Sequence, residues 1–337
     1  MGHSWQIALG AVFLSGYIFI LLSLFKVREW VINAIPHTLK QGIVAGIGAF
    51  LGFITLKNAG IVIANEATYV SLCDITTFGP AMAILGFIVI IGLSYRKVPG
   101  AVTIGILLTT LIGLIFGEVA FNGLMSMPPP IAPTLMQLDI AGAFDIGMIS
   151  VIFAFLFVDL FDTSGTLIAV TKRAELMRED EKVPNLGKAL LADSTATMAG
   201  AVLGTSSTTS YVESTAGVAA GGRTGLMAVT VGVLFLLSLF FAPLAGMIPA
   251  YATAGAIFYV AVLMLYTLKD VEWDDLTEAA PAAVTLILMP LTFSIADGIA
   301  LGFITYTAVK LITGKLSQIS VAVWVISIVL LLKFIFA

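Results

Sequence analysis

Runs of about twenty predominantly apolar residues recur along nearly the whole chain, and each is long enough to cross a hydrocarbon core roughly 30 Å thick as a helix. Only 11% of the 337 residues are charged, against roughly 25% in soluble domains, and the mean hydropathy is +1.09. A soluble core has no use for that much apolar surface. The ten-residue alternation of a membrane barrel is absent. In lipid every backbone polar group must find its partner within the protein, so the pattern predicts an all-α polytopic membrane protein. Spans are predicted near 5–25, 40–61, 80–95, 100–117, 145–170, 188–204, 224–246, 251–268, 279–295, 297–313 and 318–336. The stretch 205–223 fits none of these.

The basic residues orient the spans. With the 26–40 loop cytoplasmic, the inner loops collect Lys26, Arg28, Lys40, Arg96, Lys97, Lys172, Arg173, Arg178, Lys182, Lys188, Arg223, Lys269, Lys310 and Lys315, and only Lys57 and Lys333 fall outside. The 118–145 stretch has no Lys or Arg and reads as external. This asymmetry requires 205–223 to cross back toward the cytoplasm. The charged 171–188 loop reads as a solvated hairpin, and Asp270, Glu272, Asp274, Asp275 and Glu278 read as a solvated start of a helix. Glycine pairs at four-residue spacing (Gly48 and Gly52, Gly200 and Gly204, Gly217 and Gly221, Gly298 and Gly302) read as places where helices approach closely.

An acidic side chain inside a span costs about 2.5 to 3.5 kcal/mol on insertion scales, so each one asks for an explanation. In VIFAFLFVDLFDTSGTLIAV, helical spacing places Asp159, Asp162, Thr163 and Thr166 on one face, a polar stripe directed into the bundle. Asp193, with Ser194 and Thr197, reads as a structural hydrogen-bonding group, and so does Asp159. The stretch GTSSTTSYVESTAGVAAGGRTG is stranger still. Nine of the eleven residues from 205 to 215 carry a hydroxyl. Ser and Thr compete for backbone hydrogen bonds and β-branching costs rotamer freedom, so this stretch is expected to run extended. Non-helical backbone at membrane depth is tolerated where it is buried in protein or lines a wet cavity, the setting in which transporters hold their cargo. Period-two geometry would align Thr209, Tyr211 and Glu213, with a helix starting near Ser214. Asp297 reads as a cap or turn residue. The lone Cys73 excludes a disulfide framework and a cysteine metal site. No phosphate loop, zinc motif or nucleophile elbow is present, so neither an enzyme nor an ATP-driven pump is expected, and no cofactor or metal.

FDTSGTLIAV, ALLADS and the hydroxyl-rich run, within a similarity that extends through the entire chain, resemble the AzgA-like branch of the nucleobase-cation symporters, the adenine, guanine and hypoxanthine permeases. The resemblance implies a seven-plus-seven inverted-repeat fold with core and gate domains and a short strand in a broken helix. It implies core residues 1–25 (fourth segment) and 144–247 (segments eight to eleven), and gate residues 26–143 (five to seven) and 248–337 (twelve to fourteen plus a C-terminal span). Met1 would stand at the start of the fourth segment, so an N-terminally truncated chain is expected. Such a chain, lacking the third-segment strand that would pair with 206–213, is expected not to transport. The last span is one more than the resemblance leads us to expect: either one segment is split near 295–297 or this branch carries an extra helix.

The implied function is import of purine nucleobases by a multi-pass protein of the cell membrane, with proton symport expected ahead of sodium. The implied substrate-binding residues are Asp162, Glu213, Thr163, Thr166, Thr209, Tyr211, Val212 and Ser214. Asp162 and Glu213 are also the coupling-ion candidates, since carboxylates shielded from water titrate upward toward neutral pH. A carboxylate accepts two hydrogen bonds, which suits adjacent N–H groups on a purine edge. A homodimer is an assembly the resemblance allows, and nucleic acid is not an expected partner. The main alternative is an anion exchanger of similar architecture, which acidic rather than basic residues in the site disfavour. A membrane enzyme or receptor would need a catalytic constellation that the sequence lacks.

Overall fold

The computed structural model describes residues 4–336 apart from 27–29, 31–34, 122, 145–147, 150, 153–154, 157–158, 161–162, 164–165, 168–169, 172–173, 177–182, 212–213 and 220. Helix α1 spans Trp5–Leu24 and starts at Ser4, whose side chain caps the Ile7 amide. Helix α2 (His37–Asn58) leads into an antiparallel hairpin of β1 (Val62–Asn65) and β2 (Tyr69–Leu72), followed by α3 (Phe78–Tyr95) and α4 (Ala101–Ile115). A single turn, α5 (Ile140–Ala143), precedes the 148–171 segment, in which every described residue is helical. Helix α6 (Leu186–Leu203), the short α7 (Ser214–Ala219), α8 (Gly225–Ser238) and α9 (Ala242–Gly246) follow. The chain closes with α10 (Ala250–Leu265), α11 (Leu276–Thr292), α12 (Ile295–Ile312) and α13 (Val321–Phe336). Among the described residues, five helical stretches are long and apolar enough to cross a membrane: Trp5–Leu24, His37–Asn58, Phe78–Tyr95, Gly225–Gly246 and Ala250–Asp270.

Small residues decide where helices touch. α2 lies between α10 and α11. A Cβ on Gly42 would sit 2.7 Å from the Ala282 Cα of α11, and one on Gly48 would sit 2.7 Å from the Met264 Cβ of α10. Gly298 and Gly302 of α12 are likewise pressed against Met289 and Thr285 of α11. Such contacts replace the hydrophobic driving force that lipid does not supply. Around them Leu39, Ile43, Met289, Ile299, Phe303, Val323 and Leu330 form the largest buried apolar cluster. α1 packs on α6 and α5, with Phe19, Leu160 and Leu190 buried together. Helix α8 keeps none of its described side chains buried and turns an apolar surface outward.

Four expectations change. The turn at 293–294 divides two helices: Phe293 takes a left-handed φ of 54°, and the Ser294 side chain caps the Asp297 amide at 3.1 Å, so α11, α12 and α13 are separate. Ser294, not Asp297, is therefore the cap there. The 62–72 stretch, between the spans expected at 40–61 and 80–95, is a hairpin; four residues per strand are too few for alternation to stand out. The pair Gly200 and Gly204 meets Thr208 and Thr134 rather than a neighbouring helix. Finally, the acidic start of α11 is not wholly solvated. Glu278 pairs with Lys310 of α12 at 2.6 Å, the two side chains being 14% and 1% exposed, and Lys310 also donates to Gln318 Oε1 at 2.6 Å. Asp275 caps Thr277 and pairs with Lys315 at 2.7 Å. Lys310 gathers two acceptors that are far apart in sequence, Glu278 at the start of α11 and Gln318 after α12, which a linear reading does not reveal.

Candidate functional site

The 148–171 segment brings Asp159, Thr163 and Thr166 to one buried face, as positions three and four apart on a helix require. α6 buries Asp193, Ser194 and Thr197; Asp193 and Thr197 reach the same region, whereas the Ser194 hydroxyl donates back to the Leu190 carbonyl at 2.8 Å. The Thr163 hydroxyl is the meeting point: it lies 3.3 Å from Asp159 Oδ1, 3.2 Å from Asp193 Oδ1 and 3.0 Å from Thr209 Oγ1. One hydroxyl thus connects two carboxylates on different helical segments to the hydroxyl-rich stretch. Burial of so many polar groups in a membrane-spanning bundle is costly unless they find partners, and the Thr163 hydroxyl, with one proton to donate, is the partner these groups share.

Residues 205–211 are non-helical, as the run of hydroxyl side chains leads one to expect. α6 ends at Gly204, whose φ of +95° is the left-handed conformation that favours glycine. Ser206 and Thr208 are exposed while Ser207 and Thr209 are half-buried, an alternation that stops at Ser210. No strand is assigned to 205–211. The segment is instead held by side chains, with Thr197 Oγ1 donating to the Thr208 carbonyl at 2.9 Å. Helix α7 then starts at Ser214, the position expected from sequence, and Arg223 closes it by donating to the Val218 carbonyl at 2.5 Å.

Thr163, Thr166 and Thr209 lie in this region; Tyr211 is 65% exposed, and Ser214 is exposed at the start of α7. Asp162, Val212 and Glu213 lie outside the described residues. Asp159 and Asp193, assigned structural roles from sequence, share the Thr163 hydroxyl. Among the described residues no group of His, Cys, Asp and Glu side chains could hold a metal.

Comparison with known proteins supplies the family. The profile of the Permease family (Xan_ur_permease) matches residues 1–301. The chain belongs to this family. It is 47% identical over 336 residues to the adenine permease AdeP of Escherichia coli, covering 100% of this chain and 76% of that protein. It is 46% identical over 336 residues to the guanine/hypoxanthine permease PbuG of Bacillus subtilis, covering 99% of this chain and 76% of PbuG. A putative permease of Methanocaldococcus jannaschii is 48% identical over 333 residues, 98% of this chain and 76% of that one. Among solved structures, the transmembrane domain of the cyanobacterial bicarbonate transporter BicA superposes with a TM-score of 0.67 at 18% identity, covering 88% of this chain and 77% of that one. The chain is therefore a multi-pass membrane transporter of this fold, not an enzyme.

Proposed function

We propose that this permease carries purine nucleobases across the cell membrane, coupled to protons. The observation that carries the reading is similarity over essentially the whole chain to permeases named for adenine and for guanine and hypoxanthine. The geometry suits the cargo. A purine is planar and edged with donors and acceptors, and a non-helical segment offers amides and carbonyls outside any helix ladder together with a row of hydroxyls. In this reading Asp162 and Glu213 accept the N–H groups of the base, Thr163, Thr166, Thr209, Tyr211, Val212 and Ser214 complete the surroundings, and Asp159 and Asp193 hold Thr163 in place. One of the two site carboxylates carries the coupling proton. Residues 1–25 and 144–247 form the core, which rocks against a gate of 26–143 and 248–337.

The anion-exchanger alternative has a fold relative in BicA, but a likeness at 18% identity speaks for the fold alone. Among the described residues from 148 to 219 the only Lys or Arg is Lys188, which is exposed, whereas Asp159 and Asp193 are buried. Uptake of radiolabelled adenine, hypoxanthine, guanine, uracil and bicarbonate by cells expressing a full-length version of the protein tests the reading. Purine uptake that is abolished by a protonophore, and lost in Asp162→Asn and Glu213→Gln at normal membrane abundance, is the expected result. Bicarbonate uptake without purine uptake would overturn it.

A further inference from the structure

The last carbonyls of a helix have no partner within it, and how they are satisfied sets the direction in which the chain departs. At the end of α6 all four are met. Thr205 N–H donates to the Gly200 carbonyl at 2.9 Å and Gly204 N–H to that of Ala201 at 3.2 Å, a local pair closing around Gly204. The other two partners come from far away in sequence. Met136 N–H donates to the Val202 carbonyl at 2.8 Å, and the Thr134 hydroxyl shares its one proton between the Leu203 carbonyl, across 69 positions, and its own Ile131 carbonyl, each 3.1 Å away. Thr134 also presses on the turn itself, since a Cβ on Gly204 would stand 2.4 Å from the Thr134 Cβ.

The stretch that carries these two residues is fastened elsewhere as well. Asp139 N–H donates to the Gln6 carbonyl at the start of α1 at 2.9 Å, and Ser126 N–H to the Phe240 carbonyl after α8 at 2.9 Å. Residues 126–139 therefore strap α1, α6 and the turn after α8 from one side. Without that strap, the nearest partners for the Val202 and Leu203 carbonyls are the amides of Ser206 and Ser207, four residues on. Taking them would add a further turn to α6 and wind the hydroxyl-rich segment away from Thr163.

We propose that Thr134 is a positioning residue for transport: with Met136 it closes α6 from outside the helix, blocks its elongation and sets the register of 205–211. The geometry stands by itself, and only the identity of the cargo rests on the purine reading. The test places single cysteines at Ser206, Ser207, Thr208 and Thr209, with Cys73 replaced, in the parent protein and in Thr134→Val and Thr134→Ser. Labelling with a small polar thiol reagent should alternate in the parent, positions 206 and 208 reacting faster than 207 and 209. In Thr134→Val the alternation should give way to a three-to-four-residue period, and hypoxanthine affinity should fall roughly three- to tenfold, the scale of one hydrogen bond. Thr134→Ser should keep both. Unchanged labelling in Thr134→Val, or failure of serine to rescue it, would overturn the proposal. If hypoxanthine, adenine and guanine protect no cysteine in any background while Thr134→Val still changes the labelling, the purine reading fails and the positioning role stands.

Discussion

The hydroxyl of Thr197, inside α6, donates to the Thr208 carbonyl oxygen at 2.9 Å, so the helix that precedes the hydroxyl-rich segment also grips its middle. A chain that doubles back to be held by its own preceding helix needs the sharp reversal at Gly204. The grip replaces one of the backbone bonds that a strand or helix would have given this stretch.

Thr197→Val removes that grip while keeping shape and burial. A typical net hydrogen bond contributes about 1 kcal/mol, so purine affinity should fall roughly fivefold, and Thr197→Ser should restore it. Equilibrium binding of radiolabelled hypoxanthine to purified protein decides the matter, and an unchanged dissociation constant for valine would refute the role.

Thr163→Val deprives Asp159, Asp193 and Thr209 of their shared hydroxyl. Leaving buried polar groups short of a partner costs about 1 to 3 kcal/mol each. The thermal midpoint in detergent should drop clearly for valine and hardly at all for serine. Equal midpoints for the two variants would show that the network contributes little.

Lys310→Met leaves Glu278 without its counter-charge among packed helices. Breaking one side of a buried ion pair costs about 3 to 5 kcal/mol, whereas replacing both sides by neutral groups is often nearly free. The double variant with Glu278→Gln should therefore recover most of the stability lost by Lys310→Met, as a double-mutant thermal-melt cycle will read out. Simple additivity of the two losses would argue against a coupled pair.

Asp275, in the loop before α11, has its pKa held well below the usual carboxylate range, first by the hydrogen bond from Lys315 and then by those from Thr277. A group depressed in the folded state contributes stability that is fully present above its unfolded value, about 3.9, and is lost as pH falls through the folded one. The gap in thermal midpoint between the parent and Asp275→Asn should hence stay level from about pH 7 to pH 5 and narrow only below about pH 4. A gap that narrows already near pH 6 would mean that a different group is titrating.

The sequence by itself determined the class of the molecule, the positions of most helices and the break after α6. These depend on local quantities: apolar run length, the poor helix-forming tendency of consecutive Ser and Thr, and the i, i+3, i+4 alignment that puts Asp159, Thr163 and Thr166 on one face. Tertiary structure alone decided which polar groups meet. Thr163 and Asp193 are 30 residues apart, and Thr134 and Leu203 are 69 apart. No local pattern marks such pairs, because nothing in Thr134 distinguishes it from other loop threonines until α6 ends beside it. The same holds for Lys310, which the tally of basic residues placed among the inner loops and which packing buries against Glu278 and Gln318. Helix formation is governed by neighbours along the chain, whereas the satisfaction of a buried donor or acceptor is governed by whatever the fold brings within about 3 Å of it.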